Sequence, residues 1–220
     1  MKGYWDGYWK SKSIVSRIVD FMREHYFCKI PIYHMGNIKN KLILEPGCGT
    51  SETLVRIARQ SKKVVGFDIS KESLEVSRLN FKKHKVPKNK YELVLGDMHK
   101  MKFKDNSFDI VFNAGVMEHF DDDKINNVPL KEMVRVTKKG GQVVFLVPCV
   151  YSPYYLWYLV SRIPGLHRIF PGEENHRFYT FKIMKEQFEG LKQEYNLNVK
   201  CKMRLCWRTM FLYMVGIIEK

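Results

Sequence analysis

Leu42-Ile43-Leu44-Glu45-Pro46-Gly47-Cys48-Gly49-Thr50-Ser51 is a short apolar run, an acid, a glycine turn and a helix start. An apolar run of this length, bounded by turn residues, reads as a buried strand. The glycines let the backbone turn tightly and come close to a ligand with no Cβ in the way. Leu54, Ile57 and Ala58 then supply the apolar face of a helix. Strand, turn and helix make half of a βαβ unit, so the neighbouring sequence decides whether the unit repeats.

It does repeat. Val64 to Phe67 is a second buried-strand run ending in Asp68, with Ser70 as N-cap of a helix running to about Lys83. Tyr91 to Leu95 forms a third strand that stops at Gly96-Asp97. Phe108 to Phe112 forms a fourth that stops at Asn113-Ala114-Gly115. Pro129 opens the next helix, Met133 and Val134 give its apolar face, and Gly140-Gly141 closes it. Gln142 to Val147 is the fifth strand, cut by Pro148. The alternation predicts an α/β fold: a doubly wound, mostly parallel sheet with helices on both faces. Ligands of such sheets lie beyond the carboxyl ends of the strands, where Glu45, Asp68, Asp97 and Asn113 all fall.

The flanks differ. Ile14, Val15, Ile18, Val19 and Met22 recur at helical spacing, and that helix is expected to end before Pro31. Residues 149–180 carry Tyr151, Tyr154, Tyr155, Trp157, Tyr158, Phe170, Phe178 and Tyr179, punctuated by prolines. They read as an insertion over the ligand crevice. A helix follows with Phe181, Met184, Phe188 and Leu191 on its apolar face. Two strand-like stretches, about 195–204 and 208–218, are joined by a link too short for a parallel crossover, so one of them must be antiparallel.

Composition narrows the class. The 220 residues hold 38 Lys+Arg against 23 Asp+Glu, a net charge of +15 that favours anionic partners, nucleic acid and acidic membrane surfaces among them. The longest apolar run, Thr209 to Ile218, is about half the ~20 residues a spanning helix needs, so no membrane span is expected. Met1 to Ser13 is aromatic and basic, unlike a signal peptide. The five cysteines include no C-x-x-C pair, which argues against a zinc site or a disulfide framework and for a reducing, cytoplasmic setting.

The crevice residues point to a nucleoside. Asp68 lies 21 residues beyond Gly47, where a carboxylate can accept hydrogen bonds from both ribose hydroxyls. Asp97 and Met98 offer an acceptor and a soft apolar side chain for an adenine. A dinucleotide would need a third glycine where Glu52 stands, and Glu45 and Glu52 would repel its pyrophosphate. S-adenosylmethionine (SAM) carries a sulfonium and an ammonium, which acidic neighbours favour.

With these residues the chain resembles the class I SAM-dependent methyltransferases of the small-molecule type. Leu42–Ser51 resembles the family's first motif, an acid followed by G-x-G-x-G. Gly66–Ser70 resembles the ribose motif, Leu95–Met98 the adenine motif, and Phe108–Asn113 with Met117–Phe120 the fourth-strand motif. Glu132–Gly141 and, more weakly, His176–Thr180 resemble two later stretches. Ser51 stands where the family has its third glycine, and Lys139 where it often has proline. The resemblance implies a Rossmann-like seven-stranded sheet with an antiparallel last strand and an aromatic, partly helical lid. It divides one domain, 1–220, into an N-terminal cap (1–35), a SAM-binding core (40–147), a lid (148–180) and a C-terminal helix and hairpin (181–220). The cofactor set it implies is Glu45, Gly47, Cys48, Gly49, Asp68, Ile69, Asp97, Met98 and Asn113.

Methyl transfer is an in-line displacement, so the protein's task is alignment and exclusion of water. His119 is the candidate base for an acceptor that must lose a proton, against a purely structural role. His176 and Arg177 are candidate substrate contacts, and Tyr4, Trp5, Tyr8 and Trp9 are candidates for part of the lid. A small-molecule acceptor is the leading reading. The alternatives are RNA or another macromolecule, met through the basic surface, and a SAM-binding protein without catalysis. Asn113-Ala114-Gly115-Val116 lacks the Asn/Asp-Pro-Pro-aromatic pattern of amino-group methylases of bases. Asp68→Ala is expected to weaken SAM binding and leave the fold intact.

Overall fold

The central strands are buried almost continuously, and their side chains alternate between two faces, which divides the core in two. The computed structural model describes residues 28–119, 123–164, 178–195, 200–205 and 213–220. The strands are β1 (Leu42–Pro46), β2 (Lys63–Asp68), β3 (Tyr91–Leu95), β4 (Phe108–Ala114), β5 (Thr137–Pro148), β6 (Lys200–Leu205) and β7 (Tyr213–Glu219). They lie in one sheet in the order β3-β2-β1-β4-β5-β7-β6. The first five are parallel, and β7 runs antiparallel to both β5 and β6, as the short link demanded.

The described helices are α1 (Lys29–Met35), α2 (Glu52–Ile57), α3 (Lys71–Lys83), α4 (Asp123–Val136), α5 (Pro153–Ser161) and α6 (Phe181–Tyr195). Ile43, Val64, Ile110 and Val144 point to one face, against Ile30 and Met35 of α1, Leu54 of α2 and Phe81 of α3. Their neighbours Leu44, Val65, Val111 and Val143 point to the other, against Met133 of α4 and Met184, Phe188 and Leu191 of α6. The two-residue period of the strands thus feeds two cores with helices on both faces. The order reverses at β1, which lies between β2 and β4, and a doubly wound sheet opens its crevice at such a switch point.

Two clamps fix elements near the start of β4, at the end of the sheet away from this crevice. Asp109 Oδ2 accepts the Leu42 N–H (2.7 Å), and its Oδ1 accepts from Lys138 Nζ (2.9 Å), tying β4 to the start of β1. Arg135 donates to Glu132 and to the carbonyls of Met101 and Phe103, anchoring the β3–β4 connection to α4.

Several boundaries differ from the sequence reading. Pro31 sits in the first turn of α1, where N–H groups have no intrahelical partner to lose, and the helix expected to end before it lies outside the described residues. Pro129 likewise lies inside α4, which starts at Asp123: the ring removes one hydrogen bond, while Leu130, Met133, Val134 and Val136 keep the helix on the sheet through their burial. β4 continues through Asn113 and Ala114, since Asn113 finds a partner inside the fold. Gly140-Gly141 do not close a helix. β5 already begins at Thr137, and its register with β4 jumps from Phe108↔Thr137 to Ile110↔Gln142, so the glycines lie in an irregular early part of the strand. Phe181, assigned to the apolar face of α6, is 37% exposed and meets Tyr151 instead. The expected helix over residues 14–22 lies outside the described residues.

Candidate functional site

β1 is buried from Ile43 through Pro46, so its carboxyl end carries Glu45 into the floor of the crevice. Ladder pairing between β1 and β4 ends at Leu44↔Val111. Beyond it the Asn113 side chain spans the two strands, its Nδ2 donating to the Pro46 carbonyl. Glu45 Oε2 and Asn113 Oδ1 are buried acceptors with no hydrogen-bond partner among the described residues. Such groups are costly unless something else satisfies them. Burial, then the charges of Glu52 and Asp68, push the Glu45 carboxyl well above the usual glutamate range. Three carboxylates around one glycine turn make a site whose unmet demand is for a cation with hydrogens to donate, which an ammonium supplies.

Asp68 is buried at the end of β2. Its Oδ2 accepts the Gly49 N–H and its Oδ1 the Ser70 N–H, both at 2.9 Å. Burial raises its pKa, and these backbone bonds hold the rise in check. The side chain therefore ties the glycine turn to the start of α3. A carboxylate has about four acceptor positions, so these two N–H groups do not exhaust it.

The turn itself is built from positive φ values at Gly47 (69°), Gly49 (50°) and Ser51 (61°). Gly47 has a second reason to lack a side chain: a Cβ there would sit 2.6 Å from Val116 Cγ2, which closes over the turn. Ser51 takes the left-handed conformation too, at a cost of about 1–2 kcal/mol for an L-residue. Neighbours offset it: Ser51 Oγ lies 3.0 Å from Ser77 Oγ, and Ser77 donates to the Gly49 carbonyl at 2.6 Å. Asn80 Nδ2 donates to the Thr50 carbonyl at 2.9 Å. Ser77 and Asn80 were not picked out from the sequence. Their signal was polar side chains at 73, 77 and 80, on the face that α3 turns toward the sheet.

The other expected residues spread outward. Cys48 is buried, and burial followed by the charges of Asp68 and Glu45 raises its thiol pKa strongly, so it stays protonated. Ile69 is half-buried just past Asp68. Asp97 sits at the rim, its Oδ1 accepting from the His99 N–H (2.9 Å) and facing His99 Nδ1 (2.6 Å). Burial alone would raise the Asp97 pKa, but these His99 interactions leave it below the ordinary value. Met98 is 7% exposed and belongs to the core cluster with Phe67 and Met101. His119 is half-buried at the end of a 3-10 turn, Met117–His119, beyond β4. His176, Arg177, Tyr4, Trp5, Tyr8 and Trp9 lie outside the described residues. Among the described residues no cluster of His, Cys, Asp and Glu could hold a metal ion, and no helix is long and apolar enough to cross a membrane.

Residues 44–145 match the family described as "Methyltransferase domain". A demethylmenaquinone methyltransferase of Oceanobacillus iheyensis is 31% identical over 139 residues, covering 59% of this chain and 54% of that protein, so the match spans about half of the relative's length. Its counterpart in Staphylococcus aureus is 28% identical over 187 residues, covering 81% of this chain and 70% of that protein. The fold is shared with the magnesium protoporphyrin IX methyltransferase of Synechocystis, solved with bound SAH, at a TM-score of 0.63 and 14% identity over 95% of this chain and 87% of that one. Over residues 44–145 the chain is thus similar to methyltransferases in sequence, and it shares their fold.

Proposed function

We propose that the enzyme transfers the methyl group of SAM to a small-molecule acceptor held beneath residues 148–180. The observation that carries the cofactor half of this reading is the buried, unpartnered Oε2 of Glu45. With Asn113 Oδ1 it would receive the SAM ammonium, while Asp68 takes the ribose hydroxyls. Asp97 and Ile69 would flank the adenine. SAM supplies a methyl group already activated by its sulfonium. The chain's own residues bind, orient and exclude water.

The acceptor half rests on the 148–180 segment. It leaves and returns at one point, the carboxyl end of β5, where Tyr179 N–H donates to Pro148 O (2.8 Å) and Val150 N–H to Tyr179 O (3.2 Å). A segment pinned at both ends above the crevice can cover a small acceptor, and a demethylmenaquinone-like quinone fits the names of the similar proteins. His119 is the base if the acceptor must lose a proton. The buried thiols of Cys28, Cys48 and Cys149 suit a reducing, cytoplasmic setting.

Methyl-labelled SAM offered together with a demethylated naphthoquinol and with total RNA tests the reading. Label in the solvent-extractable quinol is the expected result. Label in RNA alone moves the acceptor to nucleic acid, and no label in any acceptor panel leaves only SAM binding. His119→Ala with near wild-type turnover and intact SAM affinity would remove the base.

A further inference from the structure

α5 presents its faces in an unusual order. Leu156 (65% exposed), Leu159 (45%) and Ile163 (49%) stand in solvent. Spacings of three and four residues place them in a row on one side of the helix and the turn that ends it. The adjoining side is aromatic, with the rings of Tyr155 and Tyr158 each 4.9 Å from that of Phe178. A surface helix ordinarily turns its aliphatic stripe to the core. Exposed Tyr151, two residues before the helix, meets Phe181 at a ring distance of 5.8 Å. Exposed Arg162 lies 5.0 Å over the Tyr158 ring, and Lys182 and Lys185 are exposed on the first turns of α6, whose Phe181 meets Tyr151.

We infer that this face docks the enzyme on an anionic lipid bilayer, with Leu156, Leu159 and Ile163 in the headgroup–acyl boundary and the three cations against lipid phosphates. A net charge of +15 draws the chain to such a surface and repels a second copy of itself. Three aliphatic side chains form a footprint smaller than a stable protein interface needs, yet suited to shallow insertion supported by basic residues. Aromatic and basic side chains beside the stripe are those that favour the membrane–water boundary. The docking would bring the 148–180 segment, and an apolar acceptor's way in, to the membrane. That link to catalysis rests on the proposed function, whereas the docking does not.

Cosedimentation of the full chain with phosphatidylcholine vesicles, with and without phosphatidylglycerol, tests the docking independently of turnover. Binding is expected to the anionic vesicles, to weaken with salt, and to fall about tenfold or more in L156S/L159S/I163S. SAM binding and the melting temperature should be unchanged in this variant, since the three side chains are exposed. If the triple variant does not fold, Leu156→Ser alone, at the most exposed position, should weaken vesicle binding about threefold. Wild-type protein that ignores anionic vesicles, or a folded variant that binds them as tightly as wild type, overturns the inference. So does a dimer, seen by light scattering, that the variant breaks: it would give the face to a second copy. Vesicle binding without quinol methylation would leave the docking standing and remove the acceptor instead.

Discussion

Asp68 accepts the Gly49 and Ser70 N–H groups, one on each carboxylate oxygen, and this changes what its removal should do. From the sequence, Asp68→Ala was expected to spare the fold. In the structure it strands two backbone donors at a nearly buried position, and each costs about 1–3 kcal/mol. Asp68→Ala should therefore lose about 2–4 kcal/mol of stability in chemical denaturation, together with a SAM affinity loss of similar size by calorimetric titration. Asp68→Asn, which keeps one acceptor, should lose less of both. Full stability in Asp68→Ala would dissolve the tie between turn and helix. Glu45 behaves in the opposite sense. Its folded pKa is raised, so the folded state holds the proton longer, and stability falls as pH rises from the ordinary glutamate range through the raised value. Glu45→Gln should stabilise the ligand-free protein at neutral pH and weaken SAM. In the wild type, SAM affinity should climb with pH over the same window as the carboxylate charges, with proton release visible in buffers of different ionisation heat. A pH-independent affinity equal to that of Glu45→Gln would take Glu45 out of the ammonium site.

At the scale of elements, Arg135 shows how a motif legible as a resemblance acquires a physical reason. Its guanidinium bonds both oxygens of Glu132, at 2.6 and 2.8 Å, and the carbonyls of Met101 and Phe103, each at 2.9 Å. Glu132 Oε2 also accepts the Met101 N–H at 2.8 Å. Arg135→Ala leaves a partly buried carboxylate and two carbonyls unmatched, so a loss of about 2–4 kcal/mol in urea unfolding is expected. Arg135→Lys should recover only part of it, because an ammonium cannot span the same fork. A neutral Arg135→Ala would show that the connection holds without the clamp. The first four strands were readable because each is a short apolar run closed by turn residues. The start of α4 and the first five residues of β5 were not: proline and glycine normally punctuate, and here long-range packing overrides that local preference. Within the site, Glu45, Gly47, Gly49, Asp68 and Asn113 were legible from their positions at strand ends. Ser77 and Asn80 act on the turn from 26 to 30 residues away in sequence, a relation that spacing alone does not encode.

For the whole molecule, the sign of the charge governs the response to acid. At neutral pH the 38 Lys+Arg already outnumber the 23 Asp+Glu, and protonating carboxylates only enlarges the excess. Self-repulsion then rises steadily as pH falls. Asp109 and Glu132 act in the same direction. Burial tends to raise both pKa values, yet the Leu42 N–H and Lys138 at Asp109, and Arg135 and the Met101 N–H at Glu132, hold them below the ordinary range. A carboxylate with a depressed folded pKa contributes stability above its unfolded pKa and loses it as pH falls through the folded value. Glu45 and Asp68, with raised values, favour the folded state on acidification, but the burial that raises them is local, while the repulsion acts over the entire surface. Unfolding is therefore expected below about pH 4, the ordinary carboxylate range. Salt separates the two contributions: it screens repulsion between exposed charges more strongly than the partly buried pairs. Raising ionic strength should move the acid midpoint, followed by circular dichroism, to lower pH. A midpoint indifferent to salt would place acid stability in the paired carboxylates alone, and Asp109→Asn would then have to shift it by itself.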